Sequence, residues 1–172
     1  MAAIRPMGPM DLMKFNPCNL DHLTETYNIG FYLEYFTKWP HLCKHLSSPM
    51  TQDSKFTRRN SPTTSRGHAH ITCLTVAPSA RRLGYATKLS EALEQVGDQE
   101  NAWFVDLFVR VENEAAIQLY KKMGYSVYRR ITDYYNDGSD AYDMRKPLKR
   151  DKQRKTVRAN GENIKVSPDE VW

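Results

Sequence analysis

His70-Ile-Thr-Cys-Leu-Thr-Val-Ala-Pro-Ser-Ala-Arg-Arg-Leu-Gly-Tyr-Ala86 decides the fold. Its first seven residues are rich in β-branched side chains and stop short of Pro78, which predicts a strand. Leu83, Ala86, Leu89, Leu93 and Val96 then recur at helical spacing, and Gly97 is the predicted stop. Between strand and helix lies Arg81-x-x-Gly84-x-Ala86. A helix begins with unpaired N–H groups and the positive end of its dipole. Gly84 has no Cβ and admits a ligand close to the main chain. Amides around Leu83 to Thr87, with Arg81 and Arg82 beside them, suit a pyrophosphate.

Moving outward, Trp103-Phe-Val-Asp-Leu-Phe-Val-Arg-Val111 is apolar on one face (Trp103, Val105, Leu107, Val109, Val111) and partly so on the other (Phe104, Phe108), which suits an interior strand. Asn113 can cap a helix over Glu114 to Met123, with Gly124 at its end. Asn113 and Tyr120 lie two turns apart on one face. A tyrosine there can give a proton to a leaving thiolate, whose conjugate acid has a pKa near ~8.5. A further strand begins at Tyr125-Ser-Val-Tyr128, a turn follows at Asn136-Asp-Gly138, and a short strand near Tyr142 to Arg145.

On the N-terminal side, Asp11 to Phe15 reads as a short helix. Gly30 to Trp39 reads as a second, with Phe31, Tyr35 and Trp39 in a stripe and Pro40 ending it. Residues 41–67 show almost no apolar alternation. They are predicted to be a long polar loop, which is uncommon inside a domain.

The chain has 172 residues, suiting one domain. Hydrophobic residues make up 40% and charged residues 26%, which argues against disorder. No run nears the ~18 apolar residues of a membrane span, and no secretion signal opens the chain. Three widely spaced cysteines argue against a disulfide framework and for a reducing compartment. Of the net charge of +5, the window Arg145–Arg158 carries +7, from eight basic residues against Asp151, so the remainder sums to −2. That window reads as a solvated, flexible tail, able to meet an acidic protein face or RNA phosphates. His41-x-Cys43-x-His45 and His68-x-His70 hold zinc-type ligands, but at spacings that match no usual structural zinc pattern, so no metal is expected.

The pairing of Val76-Ala-Pro-x-x-Arg-Arg-x-Gly-x-Ala86 with Asn113-x-x-Ala-x-x-x-Tyr120-x-x-x-Gly-Tyr125 resembles the GNAT superfamily of acyl-CoA-dependent N-acetyltransferases. Leu23-Thr-Glu-Thr-Tyr27, Phe104 to Arg110, Tyr125 to Arg129, Tyr134-Tyr135 and Ala141 to Lys146 are similar to the catalytic subunits of NatB N-terminal acetyltransferases. The resemblance covers 1–40 and 68–158. It implies an α/β fold whose mixed sheet is splayed between two central strands, in a domain over 1–146 followed by a basic tail over 147–172. It implies acetyl transfer from acetyl-CoA to the α-amine of N-termini beginning Met-Asp, Met-Glu, Met-Asn or Met-Gln. By that likeness Leu74 to Val76 would line the pantetheine arm, and Arg81, Arg82, Gly84 and Ala86 the pyrophosphate. Asn113 and Tyr120 would sit near the thioester. Glu25, Tyr27, His70, Thr72, Tyr134 and Tyr135 would line the peptide entrance, with Tyr120, His70 and Glu25 as candidates for proton transfer. The expected partners are a large helical auxiliary subunit, nascent peptides and, through that subunit, the ribosome. The expected location is the cytoplasm, with neither membrane nor specific DNA binding.

The family places two strands between the aromatic helix and the His70 strand, and residues 41–67 lack their pattern. The second and third strands are therefore expected to be replaced by a polar segment, leaving an edge of the His70 strand open. A non-catalytic binding subunit or inactive splice form, keeping partner binding without turnover, is the rival reading.

Overall fold

The computed structural model describes residues 3–14, 25, 27–48, 51–59 and 67–171, with backbone alone at 3, 14, 41, 47–48 and 51–59. It divides into two compact units: residues 1–58 with 71–93, and residues 59–70 with 94–172. The strand β4 (Ala69–Leu74) and the helix α2 (Tyr85–Gln99) each run from one unit into the other.

In the first unit, β1 (Ala3–Pro6), β2 (Lys44–Ser48) and β3 (Thr51–Arg59) form an antiparallel ladder, with β4 next in order. The polar segment 41–67 thus supplies the two strands it was expected to lack. Two causes override its composition. Ladder bonds are made by main chain: β2 pairs on one side from Ala3↔Ser47 to Pro6↔Lys44, and on the other from Lys44↔Lys55 to Ser48↔Thr51. Its few apolar residues are also well placed, since Leu42, Cys43 and Leu46 are all buried. Burial pushes the Cys43 thiol up to about 11.

Residues Pro9–Lys14 form a 3-10 helix, and α1 spans Ile29–Lys38, capped by Asn28 Oδ1 accepting from the Phe31 N–H at 3.0 Å. Pro40 then opens a short 3-10 turn. Tyr32 and Tyr35 are the buried part of the aromatic stripe, packed with Met7, Cys43, Ala77 and Ala80, while Phe31, Phe36 and Trp39 flank them. Phe15 and Leu23-Thr24 lie outside the described residues.

The second unit orders its strands β5 (Phe104–Arg110), β7 (Ala141–Pro147), β6 (Ser126–Ile131), β8 (Lys165–Val166). The first two pairings are antiparallel, and β6 with β8 is parallel. The helix α3 (Glu114–Lys122) is capped by Asn113, whose Oδ1 accepts from the Ala116 N–H at 3.2 Å. Gly97 does not stop α2. It sits buried in the last turns, where an added Cβ would lie 2.8 Å from Leu148 Cδ1, so this glycine answers to packing.

The basic stretch after β7 is not a free tail. Asp151 is buried and accepts from the N–H groups of Lys155 and Thr156 and from Thr156 Oγ1. Arg150 lies over Trp103, Arg145 and Arg158 over Tyr128, and Lys146 pairs with Glu94 at 2.6 Å. Cations that each find an aromatic face or carboxylate do not repel as a run. Beyond them, Gly161 presses on β6 at its Val127/Arg129 bulge, and a Cβ there would overlap the Val127 carbonyl oxygen. Arg129 donates to the Glu170 and Val171 carbonyls, both at 3.0 Å.

Two outcomes follow. Gly161→Ala should destabilise the second unit by about 1–3 kcal/mol through overpacking. Hydrogen exchange should show the loss first in 160–171. Asp11 accepts from Arg5 (2.6 and 2.8 Å) and is held down to about 2, the arginine bond being the largest cause. A lowered carboxylate stabilises above its unfolded value and stops doing so as pH falls. The pair's contribution, under ~1 kcal/mol because Arg5 is half exposed, should vanish between about pH 4 and 2 and be absent in Arg5→Gln, measured by urea unfolding.

Candidate active site

Past Leu74 the chain leaves β4, and buried Ala77 and Ala80 anchor a 3-10 turn over Pro78–Ala80. The Ala80 N–H donates to the Ala77 carbonyl at 2.8 Å. Arg81 Nε donates to the Val76 carbonyl at 3.3 Å. Arg82 (φ 63°) and Gly84 (φ 76°) then both adopt the left-handed conformation, and residues 81–84 are all exposed. Alternating backbone hand curves the chain so that successive amides converge. The helix α2 starts at Tyr85, and Lys88 N–H reaches back to the Gly84 carbonyl at 3.0 Å. The amides of Tyr85, Ala86 and Thr87 therefore have no carbonyl before them within the helix. A helix start with two exposed guanidinium groups beside it has the charge and the donors to take an anion.

The same unit carries Glu25, Tyr27 and Thr72. Tyr27 stacks on Phe31 (4.2 Å, 14°), and Thr72 Oγ1 lies 3.4 Å from the Tyr35 hydroxyl. Glu25 is half-buried, two residues before Tyr27.

In the second unit His70 is buried, with Nδ1 3.1 Å from Asp106 Oδ1. A chain of rings runs from it: His70 to Phe108 (5.0 Å), Phe108 to Tyr134 (5.0 Å), Tyr134 to Tyr135 (5.1 Å). Arg110 closes the chain, 4.0 Å over Tyr135 and 2.7 Å from Asp137. Three of the expected peptide-entrance residues thus form one contiguous group. Burial pushes the Asp106 carboxyl up, but His70, His68 and Arg145 together outweigh it and hold it below its ordinary value. It is a carboxylate, hence an acceptor only, so the proton of that bond belongs to His70 Nδ1.

Tyr120 is buried on α3, edge-on to Tyr125 at 5.4 Å. The Tyr125 hydroxyl donates to Glu94 Oε1 (2.9 Å), and Lys146 Nζ to Glu94 Oε2 (2.6 Å). Burial and then the Glu94 charge push the Tyr125 phenol far above its usual range. The side-chain oxygen of Asn113 is occupied by its cap.

Asp106 and Glu94 are the residues sequence reasoning missed. Asp106 was visible as a carboxylate in the middle of a largely apolar strand, which requires a buried partner. Glu94 follows Leu93 on α2 and gave a fainter signal. Among the described residues no three His, Cys, Asp or Glu side chains gather to hold a metal ion.

Residues 48–125 match the acetyltransferase (GNAT) family. A Schizosaccharomyces pombe protein, N-terminal acetyltransferase B complex catalytic subunit naa20, is 49% identical over 99% of both chains. The crystal structure of Chaetomium thermophilum Naa20 in complex with a bisubstrate analogue superposes with a TM-score of 0.90 at 46% identity, covering 99% of each chain. A chain of the NatB acetyltransferase complex bound to a bisubstrate inhibitor gives 0.85 at 37% identity, again over 99% of each. With the strand–bend–helix geometry of 74–87 and likeness along almost its whole length, this chain belongs to the GNAT acetyltransferases, and within them to the catalytic subunits of N-terminal acetyltransferase B.

Proposed function

We propose that this chain transfers the acetyl group of acetyl-CoA to the α-amine of proteins beginning Met-Asp, Met-Glu, Met-Asn or Met-Gln. It works in the cytoplasm with a large helical auxiliary subunit that brings it to the ribosome. The observation that carries this reading is the match over 99% of both chains to a Naa20 solved with a bisubstrate analogue, at a TM-score of 0.90. Such an analogue spans donor and acceptor halves at once.

Acetyl-CoA supplies an activated thioester. In this reading Arg81, Arg82 and the amides that open α2 hold its diphosphate, Leu74 to Val76 line its pantetheine arm, and Asn113 and Tyr120 stand near its sulfur end. The Val76 N–H polarises the carbonyl that takes on negative charge. The acceptor α-amine titrates near ~7.7–8.0, so baring its lone pair at neutral pH costs only about one kcal/mol. No strong base is required. A water relayed to His70 or Glu25 takes the amine's proton as the C–N bond forms. The Tyr120 hydroxyl gives a proton to the sulfur as the C–S bond breaks. Most of the acceleration then comes from placing amine and thioester in line. Glu25, Tyr27, Thr72, His70, Tyr134 and Tyr135 receive the peptide.

The binding-only alternative rested on the two missing strands, and β2 and β3 remove that ground.

Coenzyme A release from a Met-Asp peptide tests the assignment. Tyr120→Phe should lower kcat by about 10²-fold, the low end of general-acid effects. Its KM for acetyl-CoA should stay near wild type; an unchanged kcat removes Tyr120 from the chemistry. Replacing Arg81 and Arg82 together by Ala should raise the KM for acetyl-CoA about tenfold, less so at high salt, and leave the peptide KM alone.

A further inference from the structure

Asp106 Oδ1 lies 3.1 Å from His70 Nδ1, and the transfer chemistry gives Asp106 itself no part. It is nonetheless built with care. Asp106 lies across the β5/β7 ladder from Arg145, whose guanidinium is fixed by Asp143 at 2.8 and 3.1 Å. His68 Nε2 stands 3.9 Å from the same carboxylate oxygen, too far for a hydrogen bond. The His70 ring is wedged against Phe108, which in turn touches Tyr134. Among the described residues, the charged and titratable groups around this pair include Arg145 from β7, His68 just before β4 and Tyr134 from the loop after β6.

We propose that Asp106 is a positioning residue: it commits His70 Nδ1 as a donor to itself, so the atom that meets the peptide's second side chain is Nε2. The inference rests on the reading that His70 lines the peptide entrance, and it adds a consequence. With Nδ1–H committed, a neutral His70 offers only a lone pair at Nε2. That lone pair accepts from the NH₂ of Asn or Gln but repels the carboxylate of Asp or Glu. To hold an acidic second residue, Nε2 must gain a proton. Acidic peptides therefore bind with proton uptake by His70, forming an Nε2–H···carboxylate bond and leaving Glu25 to receive the amine's proton, whereas amide peptides bind without it. Preference for acidic over amide N-termini falls as pH rises.

Asp106→Asn uncouples the two. An amide can turn its NH₂ toward Nδ1 and leave the neutral ring with its proton on Nε2, the reversal known from triads whose aspartate becomes asparagine. Acidic peptides would then bind with no proton taken up.

The test is calorimetry of the full chain, saturated with coenzyme A, titrated with Met-Asp and Met-Asn peptides in buffers of different ionisation enthalpy. The α-amine contributes equally to both peptides, so the difference between them isolates His70. Wild type should show up to about one more proton taken up for Met-Asp than for Met-Asn. Asp106→Asn should lose that difference. Equal uptake in wild type, or a difference that survives Asp106→Asn, overturns the proposal. Ring nitrogen NMR of the wild-type chain, which needs no variant, should find the proton of neutral His70 on Nδ1; a proton on Nε2 overturns it as well. His70→Gln separates the two levels. If it leaves both affinities unchanged, the peptide-entrance reading fails and takes the proposal with it. If it weakens Met-Asp while wild-type uptake is equal for both peptides, the entrance reading stands and only the proposal fails.

Discussion

Two carboxylates inside the second unit, Asp106 on β5 and Asp143 on β7, set the terms for much of the structure around them. An unpaired buried ion costs several kcal/mol, so each must be compensated where it stands. Asp143 is fully buried and takes Arg129 Nε at 2.9 Å on one side and Arg145 on the other. Arg145 faces Asp106 in the ladder, and Asp106 holds His70. Signs alternate along the series from Asp106 through Arg145 and Asp143 to Arg129. Arg129 continues it outward by donating to the Glu170 and Val171 carbonyls, so the placing of residues 170–171 and the compensation of the interior are one problem with one solution.

That coupling explains why the basic stretch reads wrongly in isolation. Eight cations in fourteen residues look self-repelling when only sequence neighbours are counted. Arg145 answers Asp143 two residues before it, while Lys146 answers Glu94, Arg150 covers Trp103 and Arg158 covers Tyr128, three partners far away in sequence. The polar segment 41–67 misleads for the related reason that ladder bonds come from main chain. Local composition bears on side-chain burial and says little about backbone pairing when neighbouring strands supply it.

What was legible is what periodicity and covalent restriction control. The strand before Pro78, the helix after Gly84, the interior strand expected over 103–111, the Asn113 cap and the helix expected over Gly30–Trp39 are all present, because each depends on residues within a few positions. The motif residues around 74–86 and the group of His70, Tyr134 and Tyr135 were named from sequence by resemblance, and their grouping in the second unit came only with the ring contacts. Gly97 was misread because a glycine that makes room for Leu148 and one that ends a helix are the same letter. Asp106 and Glu94 were passed over because a charge declares its partner only in three dimensions.

The bend at 81–84 shows the opposite balance, a local cost retained beside the proposed cofactor site. Gly84 adopts positive φ freely, but Arg82 does not, and a non-glycine residue held there carries strain on the order of 1 kcal/mol. A second glycine would relax the backbone and keep the amides convergent. It would also remove a guanidinium from the start of α2, where a charge-assisted bond to an anion exceeds the strain in size. Arg82 is exposed and packs into no core, so folding gains little from its presence. The strained arginine is therefore better explained by an anion at the helix start than by stability, which is what a cofactor carrying a diphosphate would require.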